Sequence, residues 1–229
     1  MRARLLESRV IGPEVRHFVF EVPAEKQLEY TPGQFVSFKG LVTGREITRA
    51  YSLASPPSGN RFELCLNRIR EGMFSPYLFD LQPGNEVEMH PPMGYFVPRS
   101  PFRDAVFVAT GTGIAPFRGM LRWPPVLDGT ARVTLLFGAR HPEGLVYRDE
   151  FEHLAAARPG FAFLPTVTRP DSAWTGRTGR VQQHLDEALD GRRDIDVYIC
   201  GLKAMVDDVR QILKKLGFDR KQIVAEKYD

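Results

Sequence analysis

A glycine-rich turn between a β-prone run and a helix-compatible segment points most directly to chemistry. The sequence reads AVFVATGTGIAPFRGM over residues 105–120. Gly111 and Gly113 would let backbone N–H groups approach a ligand closely, and the helix after Pro116 would direct the positive end of its dipole at an anion. A nucleotide pyrophosphate suits such a loop. Because the turn lacks the full GxGxxG pattern, an ordinary tight connection stays open as the alternative.

A second set of candidate residues is Arg49, Tyr51 and Ser52 in RAYSLASPP. On a regular strand, Arg49 and Tyr51 share one face and Ser52 points to the other. The arginine could bind a phosphate, the tyrosine could stack on a planar ring, and the serine could hydrogen-bond to a ring edge. The alternative is an ordinary strand followed by a turn.

A third motif is GMFSPYL, at residues 72–78. Here we expect Gly72 to end a strand and Ser75 to stand where a helix begins. Unpaired N–H groups and a serine hydroxyl at a helix start would form a second phosphate site. The alternative is a simple N-cap.

Short alternating segments must hold the second and third motifs. They are separated by turn signals such as TPG and SPPSGN, and they lie at 15–22, 34–40, 49–54 and 61–69. This spacing predicts antiparallel strands that close into a barrel or sandwich. We assign residues 1–99 to this first, β-barrel domain.

The character of the chain changes after the proline-punctuated stretch 91–101, which we interpret as a linker or domain edge. Near-continuous apolar runs predict strands at 105–110, 132–139, 161–167 and 196–201. Helical patterns alternate with them at about 116–122, 148–157, 180–189 and 203–216. Apolar runs of this kind are typical of parallel strands buried on both faces. Residues 100–229 are therefore predicted to form a doubly wound α/β domain.

The length and composition of the chain limit the classes of protein to which it can belong. A chain of 229 residues suits two domains of roughly 100 to 130 residues each. The hydrophobic fraction of 43% and the charged fraction of 26% are ordinary for a soluble globular protein. No apolar run approaches the roughly 20 residues that span a bilayer, and the N-terminal sequence is not a secretory signal. We expect a cytoplasmic protein without a membrane partner.

The number of cysteines, the spacing of the histidines and the net charge limit the kinds of site that the chain can form. Cys65 and Cys200 are too few for a four-cysteine iron–sulfur cluster or a disulfide framework, so any redox centre must be a bound cofactor. The five histidines are scattered without metal-ligand spacing, and we expect no metal site. A net charge of +3 without a basic run argues against nucleic acid, although it could attract an acidic protein partner.

The motifs RAYS, GMFSPYL and GTGIAPFRGM, in this order and on these two domain types, resemble the ferredoxin–NADP(H) reductase family of flavoproteins. The resemblance extends to CGLKAM, which begins at Cys200, and to EKY at residues 226–228, so it covers nearly the whole chain. It implies that the β-barrel binds FAD and that the α/β domain binds a nicotinamide dinucleotide. FAD is expected rather than FMN because GMFSPYL suits a pyrophosphate.

The resemblance assigns roles to residues of the barrel. It implies that Arg49 contacts the flavin phosphate, that Tyr51 stacks on the isoalloxazine, and that Ser52 approaches the reactive N5 edge. The remaining residues that it implies for cofactor binding, around the flavin pyrophosphate, are Gly72, Met73, Phe74 and Ser75.

In the α/β domain, the resemblance implies that Cys200 lies beside the nicotinamide and that Gly201 permits the close approach. The residues implied to cradle the dinucleotide or shape the helix entry are Gly111, Thr112, Gly113, Ala115 and Pro116. Judged from the residues alone, Cys200 could equally be a packed core thiol. Cys65 has no such context, and we leave it in the core.

Near the end of the sequence, Glu226 and Tyr228 match the spacing of a catalytic carboxylate and a ring-covering tyrosine in the family. A loose solvated tail is the alternative. Asp229 departs from the family pattern, since plant-type members end on tyrosine and bacterial members often end on tryptophan. That departure leaves ring coverage and adenine contacts at this end open.

The choice of nicotinamide cofactor is a question of charge, because a 2′-phosphate needs cationic partners and a bare ribose prefers a carboxylate. Four residues resemble the basic positions of NADP-dependent bacterial members: Arg140, Thr168, Arg169 and Arg180. They favour NADP(H). Glu143 and Asp149 keep NADH as the alternative.

The expected function is hydride exchange between NADP(H) and FAD, coupled to single-electron exchange with ferredoxin or flavodoxin. We expect a monomer. One alternative is a reductase component of a multicomponent oxygenase, or a free flavin or ferric reductase. Another is a flavin-binding electron-transfer subunit of a larger complex, in either case with NADH as a possible donor.

Overall fold

The computed structural model describes residues 1–228 and shows two compact units. The first comprises Met1–Pro98 and Ala115–Leu127, and the second comprises Arg99–Ile114 and the chain from Asp128 onward. Within the described range, no helix has both the length and the apolar character needed to cross a membrane.

Antiparallel strands dominate the first unit. Before residue 99, its strands and helix are β1 (Arg2–Gly12), β2 (Val15–Glu21), β3 (Phe35–Val42), β4 (Arg45–Ser52), β5 (Arg61–Asn67), α1 (Phe74–Asp80) and β6 (Glu86–Met93). The later segment contains α3 (Pro124–Leu127) and all but the first residue of α2 (Ile114–Leu121). The strand order is β4-β3-β6-β1-β2-β5, and a bridge between Leu53 and Leu64 joins its two ends. The predicted β-barrel is thus confirmed.

Every second side chain of a strand points into the barrel, and many of these inward-pointing side chains are aromatic. Phe18 and Phe20 of β2 are fully buried, as are Phe38 of β3 and Phe62 of β5. The ring centroids of Phe20 and Phe38 lie 5.0 Å apart with an interplanar angle of 64°. This is the edge-to-face geometry that aromatic pairs favour, so the barrel has a rigid core beneath the strand that carries the second motif.

A cluster of polar and charged groups, two of them buried, lies on the other face of β2 and β5. His17 and Glu63 alternate with inward-pointing neighbours, and Arg118 of α2 reaches them. The Arg118 Nη1 donates to the Ala54 carbonyl at 2.8 Å and to the Glu63 carboxylate. The His17 Nε2 lies 3.6 Å from Glu63 Oε2. These contacts attach α2 to the barrel close to the end of β4.

Because His17 is buried, it makes the folded protein less stable in acid. Burial lowers the pKa of His17 from 6.5 to about 4; the Glu63 carboxylate opposes this shift, and the Arg118 guanidinium adds to it. Between these two values the unfolded chain binds the proton more readily, so the free energy of unfolding falls as the pH falls from 6.5 toward about 4. The slope contributed by one such histidine approaches about 1.4 kcal/mol per pH unit.

Urea unfolding followed by circular dichroism across this pH range measures the effect. We expect His17→Gln to flatten the dependence, because the glutamine does not titrate. His153→Gln is the matched control, since His153 is exposed, and it should keep the wild-type slope. Equal slopes for the His17→Gln variant and the wild type would contradict this assignment.

The second unit is a parallel sheet with helices. Its strands and helices are β7 (Ala105–Thr110), β8 (Val133–Ala139), α4 (Arg148–Ala157), β9 (Phe161–Val167), β10 (Arg177–Thr178), α5 (Leu185–Leu189), β11 (Asp196–Leu202), α6 (Lys203–Lys215) and β12 (Ile223–Tyr228). All neighbouring strands are parallel, in the order β10-β9-β8-β7-β11-β12. The predicted doubly wound sheet is confirmed.

This strand order fixes where a ligand can bind. From β7 the chain builds outward through β8, β9 and β10, and it then returns to the other side of β7 as β11. The order therefore reverses between β7 and β11. Ligands of open α/β sheets bind at the carboxyl ends of the strands beside such a reversal. Both glycine motifs of this unit lie there, because Gly111 directly follows β7 and Gly201 is the next-to-last residue of β11.

Several elements differ from the sequence prediction. The strand predicted at 61–69 ends at Asn67, and the helix predicted at 116–122 begins at Ile114, with Pro116 in its first turn. Proline costs nothing there because the N–H it lacks would have no helical partner. The helix predicted at 180–189 is a 3₁₀ turn at Val181–His184 followed by α5. Strands β1, β6, β10 and β12 were not predicted.

The stretch predicted as a linker or domain edge, 91–101, is only partly irregular. Its first three residues belong to β6, which pairs with β3 through Phe35 and Met93. The remainder lies outside strands and helices, and the first unit's opening segment ends within it, at Pro98. The domain boundary after residue 99 stays a prediction.

Candidate functional site

The second motif lies along β4 of the first unit. Arg49 is exposed, and its Nη1 donates to the neighbouring Thr48 carbonyl at 2.9 Å. Tyr51 is half-buried, while Ser52 is 7% exposed. Burial raises the pKa of Tyr51 above its ordinary value, so the ring stays a neutral phenol. The strand thus presents a cation, a neutral aromatic ring and a hydroxyl within four residues.

The third motif packs against this strand. The Phe74 ring of α1 lies 6.4 Å from the Tyr51 ring, centroid to centroid, in a stacked arrangement. Gly40 of β3 makes room for it, since a Cβ there would lie 3.0 Å from Phe74 Cε2. The fold therefore brings the start of α1 to the aromatic residue of β4, although twenty residues of sequence separate the two motifs.

Local details of the third motif differ from the prediction. Gly72 does not end a strand; it lies in a turn, and its N–H donates to the Ile69 carbonyl at 2.9 Å. The helix begins at Phe74 with the exposed Met73 at the N-cap position, and Ser75 is its second residue. The Ser75 Oγ accepts the Ile69 N–H at 2.9 Å. Ser75 thus closes the turn, and its hydroxyl proton is left to donate elsewhere.

These features suit a flavin nucleotide. A half-buried aromatic ring fits a planar ring system, a hydroxyl at the strand end fits a polar ring edge, and an exposed guanidinium fits a phosphate. The assignment of Arg49, Tyr51 and Ser52 to the flavin stays a prediction for the individual residues.

In the second unit, the glycine-rich turn forms a 3₁₀ turn at Gly111–Gly113 directly before α2. Gly113 packs on the carboxyl end of β11. A Cβ on Gly113 would lie 2.7 Å from the Cys200 carbonyl carbon and 2.8 Å from Gly201 Cα. The glycine-rich turn and the Cys200–Gly201 segment, which the sequence singled out separately, therefore touch at the reversal of strand order. Thr112 lies half-buried at the middle of the turn.

Thr110 is a residue of this site that sequence reasoning missed. Its Oγ1 is buried and has no hydrogen-bond partner among the described residues. A Cβ on Gly201, where φ is +145°, would lie 2.5 Å from this oxygen. A hydroxyl held beside two glycines can serve a polar ligand group that comes close to the backbone. The available signal was a threonine that ends an apolar strand directly before Gly111.

The predicted residues Cys200, Glu226 and Tyr228 come together on two neighbouring strands. In the register between β11 and β12, Cys200 lies opposite Glu226 and Leu202 lies opposite Tyr228. The Tyr228 side chain hydrogen-bonds to the Cys200 sulfur. Burial raises the pKa of the Cys200 thiol well above its ordinary value, and the Glu226 carboxylate raises it further. Cys200 is therefore a neutral, polarisable thiol rather than a nucleophile.

Residues 226–228 are thus part of a strand and not a loose tail. Only Asp229, whose departure from the family pattern was noted above, lies outside the described residues. The ordered strand supports a positional role for Glu226 and Tyr228, which stays a prediction.

The basic residues predicted to bind a ribose phosphate lie past the carboxyl ends of three neighbouring strands: Arg140 follows β8, Arg169 follows β9, and Arg180 follows β10. The Thr168 N–H donates to the Ala139 carbonyl at 3.1 Å, and the Arg169 N–H donates to the Arg140 carbonyl at 2.7 Å. These two hydrogen bonds continue the pairing of β8 with β9 beyond the ends of the strands. Within residues 1–228, the guanidinium groups of Arg140, Arg169 and Arg180 form no ion pair. All three side chains are exposed.

A cavity of about 560 Å³ lies beside two of these residues, Thr168 and Arg180. Arg140 and Arg169 do not line it. Ligand pockets in proteins commonly have volumes of roughly 300–1,000 Å³, so this cavity can hold part of a nucleotide. Among residues 1–228, no group of three or more His, Cys, Asp or Glu side chains is arranged to hold a metal ion.

Sequence families match both units. The oxidoreductase FAD-binding domain family matches residues 2–97, and the oxidoreductase NAD-binding domain family matches residues 107–211. Together with the β-barrel and the doubly wound sheet, these matches define the class of protein. It is an oxidoreductase with an FAD-binding domain and an NAD-binding domain.

Similar proteins that align over most of this chain identify the family within this class. Ferredoxin–NADP reductase B of Sorangium cellulosum is 39% identical over 99% of this chain and 97% of its own length. The chain belongs to the ferredoxin–NADP reductase family. A toluate 1,2-dioxygenase electron transfer component of Pseudomonas putida is 32% identical over 88% of this chain, which spans 60% of that relative's length. A ferredoxin NADP⁺ reductase structure from Neisseria gonorrhoeae, with bound FAD and NADP, superposes with a TM-score of 0.87 at 25% identity, covering 99% and 98% of the two chains.

Proposed function

We propose that this enzyme exchanges a hydride between NADP(H) and FAD and exchanges single electrons with ferredoxin or flavodoxin. The observation that carries the proposal is the contact of Gly113 with Cys200 and Gly201 at the reversal of strand order. Beside it stand the buried Thr110 hydroxyl and the Cys200–Tyr228 pair. A backbone cradle with one polar group and one neutral thiol suits the nicotinamide end of a dinucleotide.

The barrel residues act by binding and orientation. Arg49 attracts a phosphate, Tyr51 covers one face of the flavin ring, and Ser52 directs its hydroxyl at the ring edge. The start of α1, from Gly72 to Ser75, adds backbone and hydroxyl donors for the pyrophosphate. When bound, FAD supplies the step between two-electron and one-electron chemistry that no side chain of the protein can perform.

The residues of the second unit position the dinucleotide and keep its environment neutral. Cys200 gives a polarisable, uncharged surface for the nicotinamide ring, and Gly113 and Gly201 allow the ring and its ribose to approach the backbone. Tyr228 holds the Cys200 sulfur through its hydrogen bond, and Glu226 lies next to it as the one carboxylate of the set.

Three arginines that form no ion pair among the described residues favour NADPH over NADH. Arg140, Arg169 and Arg180 supply guanidinium groups suited to a phosphate dianion, and the reductase from Sorangium cellulosum carries NADP in its name. Glu143 and Asp149, which kept NADH open, lie on the segment after β8, and Glu143 forms part of a 3₁₀ turn. Three arginines thus stand against two carboxylates, and this balance of charge favours the cofactor that carries the 2′-phosphate.

The electron carrier is proposed to be a separate acidic protein, and the enzyme is proposed to act as a cytoplasmic monomer. The net charge of +3 favours encounter with an acidic carrier. A second candidate function, reductase component of an oxygenase, is supported by the electron transfer component from Pseudomonas putida. That role needs the same hydride transfer and differs in the acceptor.

Steady-state oxidation of NADPH by the flavin-loaded enzyme distinguishes these functions. We expect rapid turnover with ferricyanide, ferredoxin or flavodoxin, with the protein carriers losing rate as salt rises because the encounter is electrostatic. Free FMN serves as the comparison acceptor. Turnover with FMN but with neither carrier would overturn the assigned acceptor, and absence of turnover with ferricyanide would overturn the assignment as an independent enzyme.

A further inference from the structure

The segment directly after Ser52, residues 53–55, forms a corner of the barrel. The Leu53 N–H donates to the carbonyl of Gln34, just before β3, at 2.9 Å. One residue later, the Ala54 N–H donates to the carbonyl of Glu63, in β5, at 2.8 Å. Leu53 and Ala54 are fully buried, so a hydrogen bond lost at this corner leaves a buried polar group unsatisfied.

Helix α2 holds the corner from the outer face of the barrel. The Arg118 Nη1 donates to the Ala54 carbonyl at 2.8 Å and to the Glu63 carboxylate. One guanidinium therefore connects both residues of the backbone hydrogen bond that closes the corner. Gly119 lets the helix come this close, since a Cβ there would lie 3.0 Å from the Ser55 carbonyl oxygen.

We propose that Arg118 is a positioning residue: by holding the Ala54 carbonyl, it fixes the direction in which Ser52 presents its hydroxyl. The inference rests on the proposed function, in which this hydroxyl meets the edge of the flavin ring. Only Leu53 separates Ser52 from the carbonyl that Arg118 holds, and the direction of a side chain depends on its backbone angles. Without Arg118, the Ala54 carbonyl turns toward another donor, and the Ser52 hydroxyl turns away from the ring edge.

Nitrogen NMR of protein loaded with FAD that is isotopically labelled at N5 tests the proposal, because this resonance moves when N5 gains or loses a hydrogen-bond donor. We expect Ser52→Ala to shift the resonance of the oxidised flavin, since the donor is removed. Arg118→Met should shift it in the same direction. In the Ser52→Ala background, Arg118→Met should add no further shift, because Arg118 acts through Ser52.

Arg122→Met is the matched control for charge. Arg122 also donates to the Glu63 carboxylate, at 3.2 Å, from a side chain that is 41% exposed. Its removal takes away a neighbouring cation while Arg118 still holds the Ala54 carbonyl, so the N5 resonance should stay at its wild-type position. A shift as large as that of Arg118→Met would overturn the proposal, because loss of charge alone would then explain both variants.

The double variant Arg118→Met with Glu63→Gln separates positioning from stability, and it replaces the single variant if the latter does not fold. It removes the carboxylate that has lost its closest cation, but the Ala54 carbonyl still lacks its donor, so we expect the N5 shift to persist. A folded double variant with the wild-type resonance would overturn the proposal and leave the proposed function standing. If Ser52→Ala itself leaves the resonance unchanged, Ser52 does not meet the ring edge and Arg118 loses its role with it.

Discussion

Replacing Arg118 with methionine should lower the free energy of unfolding by about 3 kcal/mol, the lower end of the range for breaking a buried ion pair. Arg118 is 5% exposed, and its loss leaves the Glu63 carboxylate without its closest cation and the Ala54 carbonyl without its donor. The change keeps most of the side-chain volume, so the loss reports charge and hydrogen bonding rather than a cavity. Urea denaturation measures it.

Arg122→Met is the matched control for this prediction. Arg122 also donates to Glu63, at 3.2 Å, but its side chain is 41% exposed. Screening by solvent limits such a pair to about 1 kcal/mol or less. The double variant Arg118→Met with Glu63→Gln should recover part of the loss, since it removes the carboxylate that has lost its closest cation. Equal losses for the two arginine variants would contradict the account.

Replacing Gly113 with alanine should lower kcat/KM for NADPH by about 100-fold, because a displacement of about 1 Å at a site of chemistry can cost that much. The added Cβ would meet the Cys200 carbonyl carbon and Gly201 Cα, which are backbone atoms that cannot rotate away. The glycine-rich turn and the end of β11 must separate to admit it. That movement carries Cys200, the neighbour proposed for the nicotinamide, away from the glycine-rich turn.

Gly160→Ala provides the control within the same unit. An added Cβ at Gly160 makes an ordinary contact of 3.6 Å with the Ala131 carbonyl oxygen, so activity should match the wild type. Steady-state assays with ferricyanide give both values, and thermal unfolding shows whether the Gly113 variant is folded. A folded Gly113→Ala enzyme with unchanged kcat/KM would show that the loop contact does not position the dinucleotide.

Much of the fold could be predicted because its signals are local. The apolar runs at 105–110 and 161–167 match β7 and β9, and the helix at 148–157 matches α4. Strand β1 escaped prediction because only Ala3 and Leu5 of its early residues are fully buried, and a register shift between Leu5 and Glu7 interrupts the alternation. Strand β12 is half-buried and depends on the edge of β11 for its pairing, which a sequence window cannot display.

The site was predictable as a set of motifs but not as a set of contacts. The sequence singled out Gly113 and Cys200 separately, whereas their packing follows from the strand order that places β7 beside β11. Thr110 carries no motif of its own, and its importance comes from a hydroxyl that has no hydrogen-bond partner within residues 1–228. Likewise, Arg118 and Glu63 stand 55 positions apart, and only the folded barrel shows that they pair.

Anaerobic stopped-flow absorbance of the flavin-loaded protein, mixed separately with NADPH and with NADH, tests hydride transfer most directly. We predict that NADPH bleaches the flavin band in a fast phase, that NADH does so more slowly, and that Arg169→Ala slows the reaction with NADPH while leaving that with NADH unchanged. A protein that binds no flavin, or a bound flavin that neither nucleotide reduces, would contradict the proposed chemistry.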